Sequence, residues 1–349
     1  MKNNQREHKN NYDYMRVFAM CMVILNHIAD RFVTRYNQPG CSQVKYTYIC
    51  ESISLCAIPL FLMLTGVFVI DKAGKTTAKK FYIDSAKKLG IPLGLFVIVY
   101  YVYDICVVKT KTVSAIYKGI LQGFLGMYAH WYMVMLAVIY AVLPLLSFIK
   151  ERVSYKTWAK CGIVFFIYVM VGHYFENSTT SWSLSNMYLI GYVLMGNIIY
   201  RKLDSLQIKN NILGLIMLGV GIVILGLNGT MLYRVMMNSG DYYNKLLNLY
   251  SAPLIILAAI IIFTGFTIID IKGNFSCIRC LANISYIVFL SHKILIDVVA
   301  TTIFPVVEGY FNYNIKMIIP IEYLIVFPLS IIFAYIVSKL LNLTVYRRR

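Results

Sequence analysis

The stretch ILGLIMLGVGIVILGLNGTML, from Ile212 to Leu232, carries no charged side chain. A helix needs about 20 mostly apolar residues to cross the hydrocarbon core of a bilayer. This run is long enough and reads as a membrane span. The same pattern recurs along the chain. Further candidates are approximately Tyr14–Phe32, Ile49–Ile70, Leu89–Val108, Trp131–Ile149, Cys161–Phe175, Leu184–Tyr200, Tyr250–Ile269, Leu281–Phe304 and Met317–Leu343. The expected fold is therefore all-α: a polytopic membrane protein of about ten transmembrane helices. The last run contains Pro320 and Pro328. An interior proline removes a backbone hydrogen bond, so a tilt or kink is expected there.

Composition agrees with this reading. Of the 349 residues, 59% are hydrophobic and 14% are charged. A soluble domain usually carries about a quarter charged residues. The formal net charge of +18 would suggest nucleic acid in a soluble protein. Here the basic residues sit in short loops between apolar runs, which is the signature of membrane orientation. No nucleic-acid partner is expected.

Lys and Arg set the orientation. A cytoplasmic N-terminus puts Lys72, Lys75, Lys79, Lys80, Lys87 and Lys88 inside, and also Lys150, Arg152, Lys156, Lys160, Arg201, Lys202 and Arg347 to Arg349. The outer loops hold far fewer; Glu176 to Ser183 has none. Both termini are expected in the cytoplasm. Many of the 29 tyrosines lie near span ends, where an amphipathic ring suits the interface. Met1 to Asn11 is polar and no small-residue cleavage site follows it, so the first run is expected to stay as helix one. No long polar stretch or fixed-period repeat divides residues 1–349. They read as one membrane domain without a fused soluble domain.

Ionisable groups at membrane depth are costly and mark candidate sites. Arg16 and His27 are eleven positions apart in the first run. Eleven steps of about 100° return both to one helix face, about 16 Å apart along the axis. One stripe thus carries a cation at the inner surface and an imidazole within the bilayer. It suits an extended anionic ligand that enters from the cytoplasm with its reactive end at depth. In the plainer reading, Arg16 snorkels to lipid phosphates and His27 bonds a backbone carbonyl. His292, followed by Lys293, is a second buried imidazole. His130 and His173 fall at outer span ends, and His8 lies in the tail. Cys277 and Cys280 form a lone C-x-x-C, a pattern that binds metal or cycles redox when paired with a second. Cys41 and Cys50 flank an outer loop where a disulfide is compatible. No G-x-S-x-G, H-E-x-x-H or Walker A sequence is present, so neither a metal site nor an ATP-driven pump is expected.

These residues bring the chain close to a known family. Tyr12-Asp13-Tyr14-Met15-Arg16-Val17-Phe18-Ala19, continued through Val23 to Asn26-His27, resembles the first helix of the acyltransferase-3 family of integral membrane acyltransferases. Pro59 to Gly66 is similar to its second-helix motif, with Thr65 where serine is usual. His130-Trp131-Tyr132, Pro144, and Gly191 to Gly196 fit as well. Ile284-Ser285-Tyr286 to Leu290-Ser291-His292 resembles its late signature, with Lys293 where proline is common. One departure stands out. Many members carry Arg-x-x-Arg before a proline entering helix three, and here Ser85-Ala86-Lys87-Lys88 precedes Pro92. A cationic patch survives without the bidentate guanidinium fork.

The resemblance implies an enzyme that moves an acetyl or similar acyl group. Its donor is cytoplasmic acyl-CoA, acetyl-CoA above all. Its acceptor is a hydroxyl of a cell-surface glycan, glycolipid or related molecule. His27 is expected as general base or transient acyl carrier. Arg16 would hold a phosphate or the polar stem of the donor. Lys87 and Lys88, with Lys79 and Lys80, would draw in the nucleotide. His292 and Ser285 would position donor or acceptor. The implied location is the cell membrane, a bacterial plasma membrane in the first instance, with lipids as neighbours. The rival reading is a polysaccharide exporter or other multi-span transporter.

The charge bias generates a topology test. Cysteines introduced between Glu176 and Ser183 should react with an impermeant maleimide applied outside intact cells. Cysteines between Asp71 and Lys88 should react only after permeabilisation. The reverse pattern would invert the orientation.

Overall fold

The computed structural model describes residues 10–36, 44–108, 131–175, 187–240, 244, 246–273, 275–311 and 314–344. His8, Cys41, His130, the Glu176–Ser183 loop and Arg347 to Arg349 lie outside them, as do both termini. All regular structure among the described residues is helical. The helices are α1 (Asn10–Tyr36), α2 (Val44–Ser54), α3 (Ala57–Phe68), α4 (Ile70–Gly74), α5 (Ala78–Ser85), α6 (Ile91–Tyr103), α7 (Trp131–Arg152), α8 (Tyr155–Phe175), α9 (Tyr188–Leu206), α10 (Asn211–Ser239), α11 (Pro253–Ile268), α12 (Ser276–Thr302), α13 (Phe304–Tyr310) and α14 (Ile315–Thr344). Two π-helical segments, Ala86–Gly90 and Asp104–Val108, flank α6.

Helix covers each expected span in whole or in part. Among the described residues, five stretches are long and apolar enough to cross a membrane: Val44–Gly74, Ala78–Val107, Asn211–Ser239, Ser276–Thr302 and Ile315–Asn342. Pro253–Ile268 is apolar but shorter. The span expected at Ile49–Ile70 is interrupted by a turn at Leu55–Cys56. Pro59 follows in the first turn of α3, where a missing N–H costs least. In α14, Pro320 and Pro328 both sit inside a continuous helix.

Helix α10 shows why the chain belongs in lipid. Ile212 is 74% exposed and Leu215 62%, with Val223 and Leu227 exposed beside them. The inward face carries Gly214, Gly221, Asn228 and Gly229. Apolar side chains point out and small or polar ones point in, which inverts a soluble helix. Small residues at such an interface let backbones approach closely.

Helix α1 is central. Tyr12, Met15, Ala19, Ile24 and Ile28 are buried along it, and it packs on α2, α3, α11, α12 and α14. Its start is tied to the end of α11. Asn11 donates to the Phe266 carbonyl at 2.9 Å, and Asn10 to those of Ile271 and Gly273 at 3.0 and 2.7 Å. The Phe266 carbonyl lies in the last turn of its helix and has no intrahelical partner of its own.

Helices α3 and α9 meet through bare backbone. Gly66 lies against the Val193 carbonyl, and Gly196 against the backbone of Met63. Asn197 donates to the Gly66 carbonyl at 3.0 Å and accepts from the Trp158 indole at 3.2 Å. A Cβ at Gly196 would strike backbone, which cannot swing aside. Gly196→Ala should therefore destabilise the protein by at least about 1–3 kcal/mol, the usual scale of overpacking. Gly94→Ala meets nothing within contact distance and serves as control. Thermal unfolding in detergent separates them; equal melting temperatures would contradict the seam.

Candidate active site

The first and twelfth helices bring two distant imidazoles together. The His27 and His292 rings lie 5.0 Å apart, centre to centre, tilted by 39°. His292 is buried, and its Nδ1 is 3.1 Å from the Val288 carbonyl one turn back. A carbonyl only accepts, so Nδ1 donates and a neutral ring carries its lone pair on Nε2. Beside His27, Asn26 donates to Ser54 Oγ at 2.8 Å and fixes α1 against α2.

Arg16 sits nearer the start of α1. It donates to Asp13 Oδ1 at 2.8 Å, and its guanidinium lies 4.6 Å from the centre of the Phe68 ring. It lines a cleft of about 360 Å³ together with Lys72, Lys88, Tyr140, Ser285 and Phe289. Phe289 joins this cleft to the histidines, since its ring lies 5.7 Å from His292 and 5.1 Å from Tyr132. A second cleft of about 850 Å³ opens beside the first, between the Ala86–Gly90 segment, α12 and α14. Lys72, Asp84, Lys88, Leu89, Asn283 and Tyr286 line both.

The π-helical segment has a local cause. Pro92 lacks the N–H that the Lys88 carbonyl would take in an α register, and its ring crowds that carbonyl. The chain relaxes into wider turns, which recur at functional sites. Tyr286 then reaches across from α12 and donates to the Leu89 carbonyl at 2.7 Å.

The sequence candidates fall in different places. Arg16, Lys88 and Ser285 do converge on one cleft, and Lys87 lines the adjoining one. Lys79 and Lys80 are exposed on α5 and line neither. His27 is not among the residues that line the narrow cleft; it lies behind Phe289 and His292. Ser285 donates its hydroxyl proton to the Ala282 carbonyl at 2.8 Å, so it faces the cleft as an acceptor. In the sequence, Lys72 belongs only to the orientation signal and Tyr286 only to a motif. Phe289 carried no signal beyond its place in the late signature. Cys277 and Cys280 are exposed at the start of α12, and Cys50 is a buried free thiol.

The fold and these clefts define a helical membrane protein with a cationic cleft that Phe289 separates from paired imidazoles. A family model described as an acyltransferase domain matches residues 9–339. The chain belongs to this acyltransferase-3 family and is an acyltransferase. Neither the curated proteins nor the solved structures gave a match.

Tyr286→Phe removes one hydrogen bond while keeping the ring. It should cost about 1 kcal/mol of stability and speed amide exchange around Leu89. Unchanged exchange across Ala86–Gly90 would show that the hydroxyl does not hold this segment.

Proposed function

We propose that the chain transfers an acetyl or related acyl group from cytoplasmic acyl-CoA to a hydroxyl of a cell-surface glycan or similar acceptor. In this reading it spans the membrane about ten times, with both termini in the cytoplasm. The observation that carries the proposal is the contact between His27 and His292 behind a cationic cleft. Arg16, Lys72 and Lys88 line that cleft, and Lys87 the one beside it. Basic groups at the mouth with apolar and hydroxyl groups deeper in suit a polyanionic carrier bearing an apolar chain.

Acyl transfer from a thioester to an alcohol needs a proton acceptor and a place for the developing oxyanion. His27 serves as base. It takes the acceptor's hydroxyl proton as the alcohol oxygen attacks the thioester carbonyl, and it returns that proton to the departing thiolate. His292 holds the His27 ring and can relay the proton through Nε2. In the alternative route a His27 ring nitrogen attacks the carbonyl and expels the CoA thiolate; the alcohol then displaces the imidazole, and its proton ends on the thiolate. The contact of the two rings supports either route. The depth of the pair suits a donor entering from one side and an acceptor from the other.

His27→Ala should lower acyl transfer by about 10²–10⁴-fold, the usual loss of general acid–base help. The variant should remain folded and bind CoA as the parent does. The assay is purified protein in liposomes with labelled acetyl-CoA and a crude glycan extract. A well-folded His27→Ala protein with full activity would falsify the assignment. A parent that leaves acyl-CoA untouched while moving glycan across the bilayer would support the exporter reading.

A further inference from the structure

Two helices line the narrow cleft with files of side chains. Tyr132, Leu136 and Tyr140 follow one another at four-residue steps on α7, and Ala282, Ser285 and Phe289 at steps of three and four on α12. Each set therefore shares one helix face. Arg16 marks the cationic end, and Tyr140 lies within its electrostatic reach. Tyr132 stands eight residues back along α7, about 12 Å along the axis. There the two files converge: the Tyr132 and Phe289 rings lie 5.1 Å apart, tilted by 52°.

The α12 file does not stop at this contact. Three residues beyond Phe289 comes His292, whose ring lies 5.7 Å from that of Phe289 and 5.0 Å from that of His27. Phe289 thus has one neighbour in the cleft wall and one in the imidazole pair. Neither histidine lines the cleft, and His292 is only 3% exposed. A molecule in the cleft therefore meets the Phe289 ring before it meets an imidazole. That ring is half-buried, with open space on the cleft side. A helical χ1 has two common wells, so the ring can swing between them without moving backbone. Tyr132 is buried and forms the fixed side of the contact.

We propose that Phe289 is an aromatic gate between the cleft and the imidazoles, and that the space it can vacate sets the largest acyl group the enzyme transfers. This deepens the donor reading above and rests on it. The arm that carries the thioester enters past Arg16, displaces the ring from Tyr132 and brings the acyl group to the imidazole pair. A short acyl group fits the gap. A longer one competes with the ring for the same volume. Between turnovers the ring returns and covers His292.

Two measurements on the full chain test this, and the first needs no donor. Diethyl pyrocarbonate modifies an imidazole at its lone-pair nitrogen, which in His292 is Nε2. Peptide mass spectrometry then reports the modification of His292 alone. In the parent it should proceed at least about 10-fold more slowly than on free N-acetylhistidine, as for a site reached only by local opening. Phe289→Ala should remove most of that protection, Phe289→Leu part of it and Phe289→Trp none. The second measurement compares acetyl-, butyryl- and hexanoyl-CoA in the liposome assay. Phe289→Ala should lower the preference for acetyl over hexanoyl by at least about 10-fold in kcat/KM, the scale on which a pocket senses added methylenes. Phe289→Leu keeps an apolar side chain in place and should shift both readouts the same way by less, so it carries the test if the alanine variant fails to fold. A ring that only packs the core predicts something else. Both variants would then lose activity toward all three donors by one factor, with His292 labelling unchanged. That result would overturn the gate, as would a parent His292 that reacts as fast as the free compound. A shielded His292 that Phe289→Ala exposes, in a parent that consumes none of the three donors, would support the barrier and overturn the donor reading instead.

Discussion

The cost of holding polar and charged groups away from water governs this molecule. Helix α1 alone carries Asp13, Arg16, Asn26, His27, Asp30 and Arg31. Such a helix is poorly suited to lipid on its own. It is stable here because other helices surround it and answer these groups one after another. Arg16 meets Asp13 on α1 itself, while Asn26 meets Ser54, His27 meets His292, and Arg31 pairs with Glu322. The apolar outer helices, α10 among them, then present their greasy faces to the surroundings.

The same constraint separates the charged end of the site from the imidazole pair. Exposed lysines gather at one end, where they keep contact with water. The imidazole pair lies behind aromatic rings, with Phe289 against His292 and Tyr132 against Phe289. Tyr286 couples the two ends, because it stands on the helix that carries His292 and grips the backbone of the lysine-bearing segment.

Much of this was legible in the sequence, and the gaps have physical causes. Ile212–Leu232 announced a membrane helix because span length is a one-dimensional property. The Arg16–His27 stripe followed from helical periodicity, which is also local. The meeting of His27 with His292 was not legible, since it depends on how α1 and α12 pack. Lys72 was hidden among loop lysines that the orientation signal already explained. The π-helical turn at Ala86–Gly90 could have been suspected from Pro92, but its register could not. The count of spans is another case: α2 and α3 break at Leu55–Cys56 within one apolar run, and apolar length alone does not reveal that turn.

The Arg31–Glu322 pair has a consequence for how the protein is made. The partners are 291 positions apart, and Glu322 is wholly buried. Taking a charged side chain out of water is costly unless a partner answers it. During synthesis α1 therefore enters the membrane long before the carboxylate that will neutralise Arg31 exists. Until α14 arrives, Arg31 must stay hydrated, lean toward a headgroup or borrow another acid. The rings of Phe32 and Phe304, 4.8 and 5.0 Å from its guanidinium, belong to the finished arrangement. Arg31 thus gains its final partner only when α14 is in place, and the late-made end of the chain acts as its latch.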